Sequence, residues 1–385
     1  MHSLKQNRVP ISNSNLLFII AAGILLVMYM VAIGLYPASF SQPQTFFDLF
    51  NNNAALIILA CGMSIVMIGG GIDISVGGVC GLVTMSCAVY LQSAGASVAG
   101  SIALALAIGI AFGVLQGFLI AYLQIQPFII TLAGMFLANG VMTMVNTTPI
   151  NVQHPGFVAL FETRFRIEWL GTINRHGMFI PCKISISTVI VICVIIAVAV
   201  LMKWSKFGRN LYAVGGNSQS AMMLGVGVRR TKFFSYVLCG LLSGIAGLAF
   251  ILTTGAGNIG NASGFEMKAI AASIIGGTLL TGGVGNILGS PIGALTLLTI
   301  NETIRAVGID SNIQTIISGF LLCFFIVLQS VIIWLRDKGG GFRIIRPPWL
   351  KSMSLFTGGA DGANQMDAAN QMENNNNNGK GGNPS

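Results

Sequence analysis

Asp73 is the residue whose type and setting most invite a chemical question. It sits in Gly69-Gly70-Gly71-Ile72-Asp73-Ile74-Ser75-Val76-Gly77-Gly78, between two apolar runs. From Arg8 to Glu162 there is no Lys or Arg, and Asp48 is the only other acid. Three successive glycines break a helix, and an ionisable group follows at once. Irregular backbone at membrane depth is tolerated only where it packs in protein or lines a polar cavity. Broken helix ends offer free N–H and C=O groups to a solute there. Asp73 and Ser75 therefore either border a solute path or cap the helix that follows. Bond-making chemistry has no support elsewhere. The chain has no GxxxxGK[ST] loop, no GxSxG elbow and no HExxH. Its one Gly-Lys pair, Gly379–Lys380, is followed by Gly381. His2, His154 and His176 are scattered, six cysteines lie in apolar runs and Cys182 stands alone in a loop. Neither a metal site nor a disulfide is expected.

The elements that must hold Asp73 follow from composition. Of 385 residues 54% are hydrophobic and 8% charged, against about 25% charged in soluble proteins. The chain is an all-α polytopic membrane protein. At 1.5 Å per residue, a span needs roughly 20 apolar residues. Ten are expected, near 16–36, 54–70, 76–93, 97–122, 127–145, 184–202, 233–253, 264–281, 284–303 and 312–335. The net charge of +9 comes from short basic loops and not from a nucleic-acid stripe with interleaved aromatics, so no nucleic-acid partner is expected. Residues 203–232 hold Lys203, Lys206, Arg209, Arg229, Arg230 and Lys232 with no acid. That loop, the N-terminus and the basic run 336–351 are placed on the cytoplasmic side, and ten spans satisfy all three. The mixed-sign loop 146–183 then lies outside as a small cap. A transmembrane domain over 1–351 is followed by an Asn- and Gly-rich tail, 352–385, that reads as disordered.

Two further segments carry information. A second glycine-rich break runs through Gly276-Gly277 and Gly282-Gly283-Val284-Gly285. Laying Gly70 over Gly282 also matches Gly71 with Gly283, Gly77 with Gly289 and Gly81 with Gly293. Paired breaks of this kind mark an internal repeat around a central path, although tight packing through small residues also accounts for them. In the basic loop, Gly215-Gly216-Asn217 is expected to form the turn that sets the angle of a short helix. Asn217 or Ser218 caps that helix and Gly225 ends it. Such a helix, bearing Ala221 and Leu224, suits docking to a partner or lying on lipid headgroups.

Gly70-Gly71-Ile72-Asp73-Ile74-Ser75-Val76-Gly77, Pro127-Phe128-Ile129-Ile130-Thr131-Leu132-Ala133-Gly134, Phe207-Gly208-Arg209 with Tyr212-Ala213-Val214-Gly215-Gly216-Asn217, and Ile274-Ile275-Gly276-Gly277-Thr278 together resemble the membrane subunits of bacterial ABC sugar importers. These are the ribose, xylose, galactose and galactofuranose permeases, and the match runs in order from about residue 15 to 335. The resemblance implies an inner-membrane permease that moves a monosaccharide, paired with a second copy or a sister permease. It binds no cofactor itself, because ATP is bound by cytoplasmic ATPase subunits. A periplasmic sugar-binding protein delivers the substrate. The resemblance assigns Gly215, Gly216, Asn217, Ala221, Leu224 and Gly225 to ATPase coupling. Asp73, Ser75, Phe128, Thr131 and Asn139 are expected to line the path, with the Phe128 ring stacking on a sugar face. One departure is Lys268, where the family usually has an acid. The alternative, an ion-coupled secondary transporter, would leave more ionisable groups within the membrane than this chain offers.

Overall fold

The computed structural model describes residues 13–173 and 179–308, with scattered positions between 313 and 331. Along the chain run α1 (Asn13–Leu35), α2 (Pro37–Phe40), α3 (Pro43–Ile68), α4 (Val76–Leu91), α5 (Val98–Ala121) and α6 (Pro127–Val145). Then come β1 (Ile150–Asn151), α7 (Pro155–Glu162), β2 (Arg164–Ile173), β3 (Phe179–Ser185), α8 (Ile186–Trp204), α9 (Lys206–Gly216) and α10 (Ser218–Met223). The last described elements are α11 (Val228–Thr254), β4 (Ala256–Gly257), α12 (Phe265–Ile275) and α13 (Gly289–Ala306). The architecture is all-α, with two small antiparallel pairs, β1 with β4 and β2 with β3.

Six described helices are long and apolar enough to cross a membrane: α1, α3, α5, α6, α8 and α11. Among the described residues the expected ten is not reached. The stretch expected at 284–303 is α13, 18 residues with Asn301, Glu302 and Arg305 near its end, and too polar to count. The stretch read as a span over 264–281 is α12, only 11 residues long, because the chain leaves helical geometry at Gly276-Gly277. Likewise α4 has 16 residues, since it starts only after the first break. The tenth expected span and the tail from 352 lie outside the described residues, scattered positions excepted.

Helix α3 is the axis of the molecule. Every residue from Ala54 to Ile68 is buried, as a helix apolar all round must be. It packs against α8, α11, α12 and α13. The outer helices α1, α5, α6 and α8 carry exposed Leu, Ile, Val and Phe, the side chains that lipid accepts in place of water.

The two ends of α3 mark the two ends of the molecule. At its start, Asn51 donates to the Lys183 carbonyl at 2.9 Å and accepts from Ser185 N at 2.9 Å and Thr188 Oγ1 at 2.6 Å. Gln44 accepts from Lys183 N at 2.7 Å. These bonds fasten the β2–β3 hairpin to the start of α3. At the other end, the Ile68 carbonyl lies beside α9. The helix is kinked at Asn53 (φ −126°, ψ 24°), and from there to Ile68 it runs about 23 Å, so the hairpin and the basic loop stand at opposite ends.

Candidate functional site

The first break is built on Gly70, whose φ of +79° is open to glycine at no steric cost. The chain turns away from α3 there, and Asp73 arrives 2% exposed beside α5 and α11. Its Oδ1 accepts the Ser75 backbone N–H at 3.0 Å and the Ser75 hydroxyl at 2.6 Å. Gln116 of α5 donates from Nε2 to Ser75 Oγ at 2.9 Å. Gly134 of α6 supplies the room, since a Cβ there would run into the Gln116 amide. Asp73, Ser75 and Gln116 thus form one buried polar cluster at the start of α4. Tyr236 closes the adjacent turn with a hydroxyl bond of 3.4 Å to the Ile72 carbonyl.

A cavity of about 240 Å³ lies further along α4. Gly77 and Gly78 form one wall, with Met135, Asn139, Met142 and Thr143 of α6 opposite. The irregular segment Ile259–Ser263 and Glu266, in the first turn of α12, complete it. The two glycines let polar side chains approach the helix backbone. A Cβ on Gly77 would collide with the Glu266 carboxylate, and one on Gly78 would sit 3.2 Å from Asn139 Oδ1. The polar lining is therefore two amides, two hydroxyls and one carboxylate, and it includes no cation.

The expected path residues separate into four places. Asn139 faces the cavity. Asp73 and Ser75 sit in the buried cluster. Thr131 is fully buried, with its hydroxyl donating to the Pro127 carbonyl at 2.9 Å. Phe128 is 55% exposed in the first turn of α6, about 16 Å along the helix from Asn139. One solute therefore cannot contact both Asn139 and Phe128. Lys268 is absent from the cavity wall and holds its ammonium 5.6 Å from the Phe265 ring.

Gln116, Asn261, Ser263 and Glu266 were not anticipated as a group. Gln116 had a visible signal, being the one amide in a 24-residue apolar helix. Asn261 and Ser263 had none, because their place depends on how the loop after β4 folds back beside α4.

At the basic end, Asn217 caps α10 as expected, its Oδ1 accepting Ser220 N–H at 2.9 Å, and Gly225 leaves the helix at φ +79°. The expected glycine turn is corrected. Gly215 and Gly216 are the last residues of α9, an 11-residue helix, and neither has positive φ. The change of direction falls on Asn217, at φ −156° and ψ 105°. Ala221 is buried while Met222, Met223 and Leu224 are 65%, 89% and 82% exposed. Beside α10 opens a cleft of about 560 Å³, lined by Ser218, Gln219 and Met222, by Arg229 and Lys232 of α11, and by Gln124 and Gln126.

Residues 45–326 match the family described as branched-chain amino acid transport system / permease component. The chain is 34% identical over 323 residues to the inner membrane ABC transporter permease protein YjfF of Escherichia coli K12, covering 83% of this chain and 94% of that protein. It is 32% identical to the ribose import permease protein RbsC of the same strain, covering 80% and 91%. To the fructose import permease protein FruG of Bifidobacterium longum it is 28% identical, covering 74% and 82%. No solved structure matches.

Proposed function

We propose, from the premise that this chain belongs to the branched-chain amino acid transport system / permease component family, that it is the membrane-spanning subunit of an ABC importer and carries a monosaccharide across the inner membrane. ATP is hydrolysed on separate cytoplasmic subunits. A binding protein delivers substrate at the hairpin end, and a second copy or a sister permease completes the path.

The cavity between α4, α6 and the α12 entrance carries the substrate assignment. At about 240 Å³ it is smaller than the ~300–1,000 Å³ of drug-sized ligand sites, a fit for one sugar ring. Its amides and hydroxyls replace water around sugar hydroxyls, and Glu266 accepts from two at once. An amino acid brings a carboxylate, which wants a cation, and none lines this wall. The names of RbsC and FruG point the same way. Asn139 then touches the sugar, while Asp73 and Ser75 hold the start of α4 behind it.

Exposed Met222, Met223 and Leu224 on α10 form the face that docks the ATPase. The adjoining cleft, with Arg229 and Lys232 and no acid, receives an acidic side chain. Ion-coupled transport has few groups to use, because Asp73 is held by Ser75 and Glu266 is the one carboxylate lining the cavity.

The test is uptake by the reconstituted importer with ribose, fructose, galactose and leucine offered in turn. One sugar is expected to be taken up and leucine refused. Asn139→Leu should lower sugar uptake about fivefold or more with assembly unchanged, since stranding a sugar hydroxyl costs about 1–3 kcal/mol. Asp73→Asn should lower it less, because one acceptor oxygen remains. Uptake of leucine, or wild-type sugar uptake by Asn139→Leu, would overturn the assignment.

A further inference from the structure

The last turn of α9 touches both broken helices at once. A Cβ on Gly215 would run into the Ile68 carbonyl, where α3 ends, and would lie 2.6 Å from Gly283 N. A Cβ on Gly283 would lie 2.5 Å from the Gly216 Cα, and one on Gly282 would lie 2.8 Å from the Gly70 Cα. Three backbones therefore meet at van der Waals distance, one from each break and one from the basic loop. Two hydrogen bonds tie them. Gly283 N–H donates to the Ile68 carbonyl at 2.9 Å, joining the second break to the end of α3. Tyr212, one turn before the end of α9, donates its hydroxyl to the Gly285 carbonyl at 2.9 Å. Burial raises the Tyr212 pKa above its ordinary value, so the phenol stays a neutral donor. On the far side of Asn217 stands α10, whose backbone is tied to α9 by Asn217 N–H to Ala213 and Ala221 N–H to Asn217, at 3.1 and 3.0 Å.

We propose that Tyr212 is a positioning residue for transport: with Gly215 it clamps the docking segment to both broken helices, so that a displacement of α10 reaches the two breaks together. This rests on the reading of α10 as the ATPase-docking face. The physical reason is stiffness. Contacts between backbones have no rotamers to absorb a push, unlike contacts between long side chains. A shift of α9 by a fraction of an ångström must move Ile68 and Gly283 or break the bond between them. Gly70 and Gly282, at φ +79° and +82°, are the natural points of bending on either side. The first break leads through Asp73 into α4, and the second lies between α12 and α13. Both α4 and α12 wall the cavity, so a single input opens or closes it from two sides.

The test uses the complete importer in liposomes and reads three quantities: ATPase co-purification, ATP hydrolysis, and sugar moved per ATP. Tyr212→Phe keeps the ring and removes one hydrogen bond. It should retain the ATPase and hydrolyse ATP normally, yet move roughly threefold to tenfold less sugar per ATP, the range of one net hydrogen bond. Gly215→Ala should lower the same ratio further. A purely structural role for Tyr212 would lower yield and melting temperature and leave the ratio alone. Wild-type sugar per ATP in Tyr212→Phe would therefore overturn the clamp. Leu224→Asp separates the underlying reading, and should lose the ATPase while both breaks stay intact. Full retention of the ATPase by Leu224→Asp would overturn the docking reading and the clamp with it.

Discussion

Glycine serves two regions of this molecule in different ways. Along the contact of α5 with α11, Gly109 faces Gly240 and Gly244, Gly113 faces the Tyr236 carbonyl and Gly117 the Phe233 carbonyl. The spacing is four residues on both helices, all in regular helix, and glycine is there only because its neighbour is backbone. At the junction of the two breaks the glycines are also in contact with backbone, but Gly70, Gly282 and Gly283 have positive φ as well. A missing Cβ makes the first region a rigid seam. In the second it adds conformations that other residues avoid. Composition sees 49 glycines and cannot tell a weld from a hinge.

Substitution separates the two regions, and the largest effect belongs to the seam. Gly109→Leu puts a branched side chain where a single Cβ already collides with the Gly240 carbonyl. The loss should exceed the ~1–3 kcal/mol of ordinary overpacking, because two backbones must part. The expected result is little monodisperse protein in detergent. A wild-type elution profile and melting temperature would show the seam to be loose. Gly282→Ala comes next, with an unfavourable φ of +82° and a clash with Gly70. Gly70→Ala meets nothing nearer than the Gly215 Cα at 3.9 Å, so only its φ counts, at about 1–2 kcal/mol. Both should fold and both should lose transport before stability. If Gly70→Ala lowers the melting temperature more than Gly282→Ala, close approach is not what distinguishes them. The smallest effect is expected at Gly216, where an added Cβ meets nothing within 4 Å. Gly216→Ala should change stability by no more than about 0.5 kcal/mol, and a large fall in expression would contradict the packing described for α9.

These regions also show how far the sequence could be read. Long apolar runs located α1, α5, α6, α8 and α11, because lipid demands length and hydrophobicity before anything else. The two breaks were visible as glycine clusters, and Gly70 could be laid over Gly282 in the sequence. Their spatial contact was not, since periodicity says nothing of which loops meet. The helical character of Gly215 and Gly216 was misread for a related reason. Gly-Gly-Asn has the composition of a turn, yet Leu211 and Val214 are buried and hold the helix to its last residue. In the site, Asn139 was legible as a polar residue on an apolar helix. Asn261 and Ser263 were not, because they reach α4 through an irregular loop with no pattern of its own.

The burial of α3 has a consequence for how the protein is made. Among the six long helices it is the least hydrophobic and the most enclosed, and its neighbours α11, α12 and α13 are encoded some two hundred residues later. At a synthesis rate of ~5–20 residues per second, the ribosome needs on the order of ten seconds or more to supply them. Through that interval the central helix must be sheltered by the insertion machinery or by α8, which arrives earlier. A chain halted before α11 would leave it with lipid in place of most of its native partners.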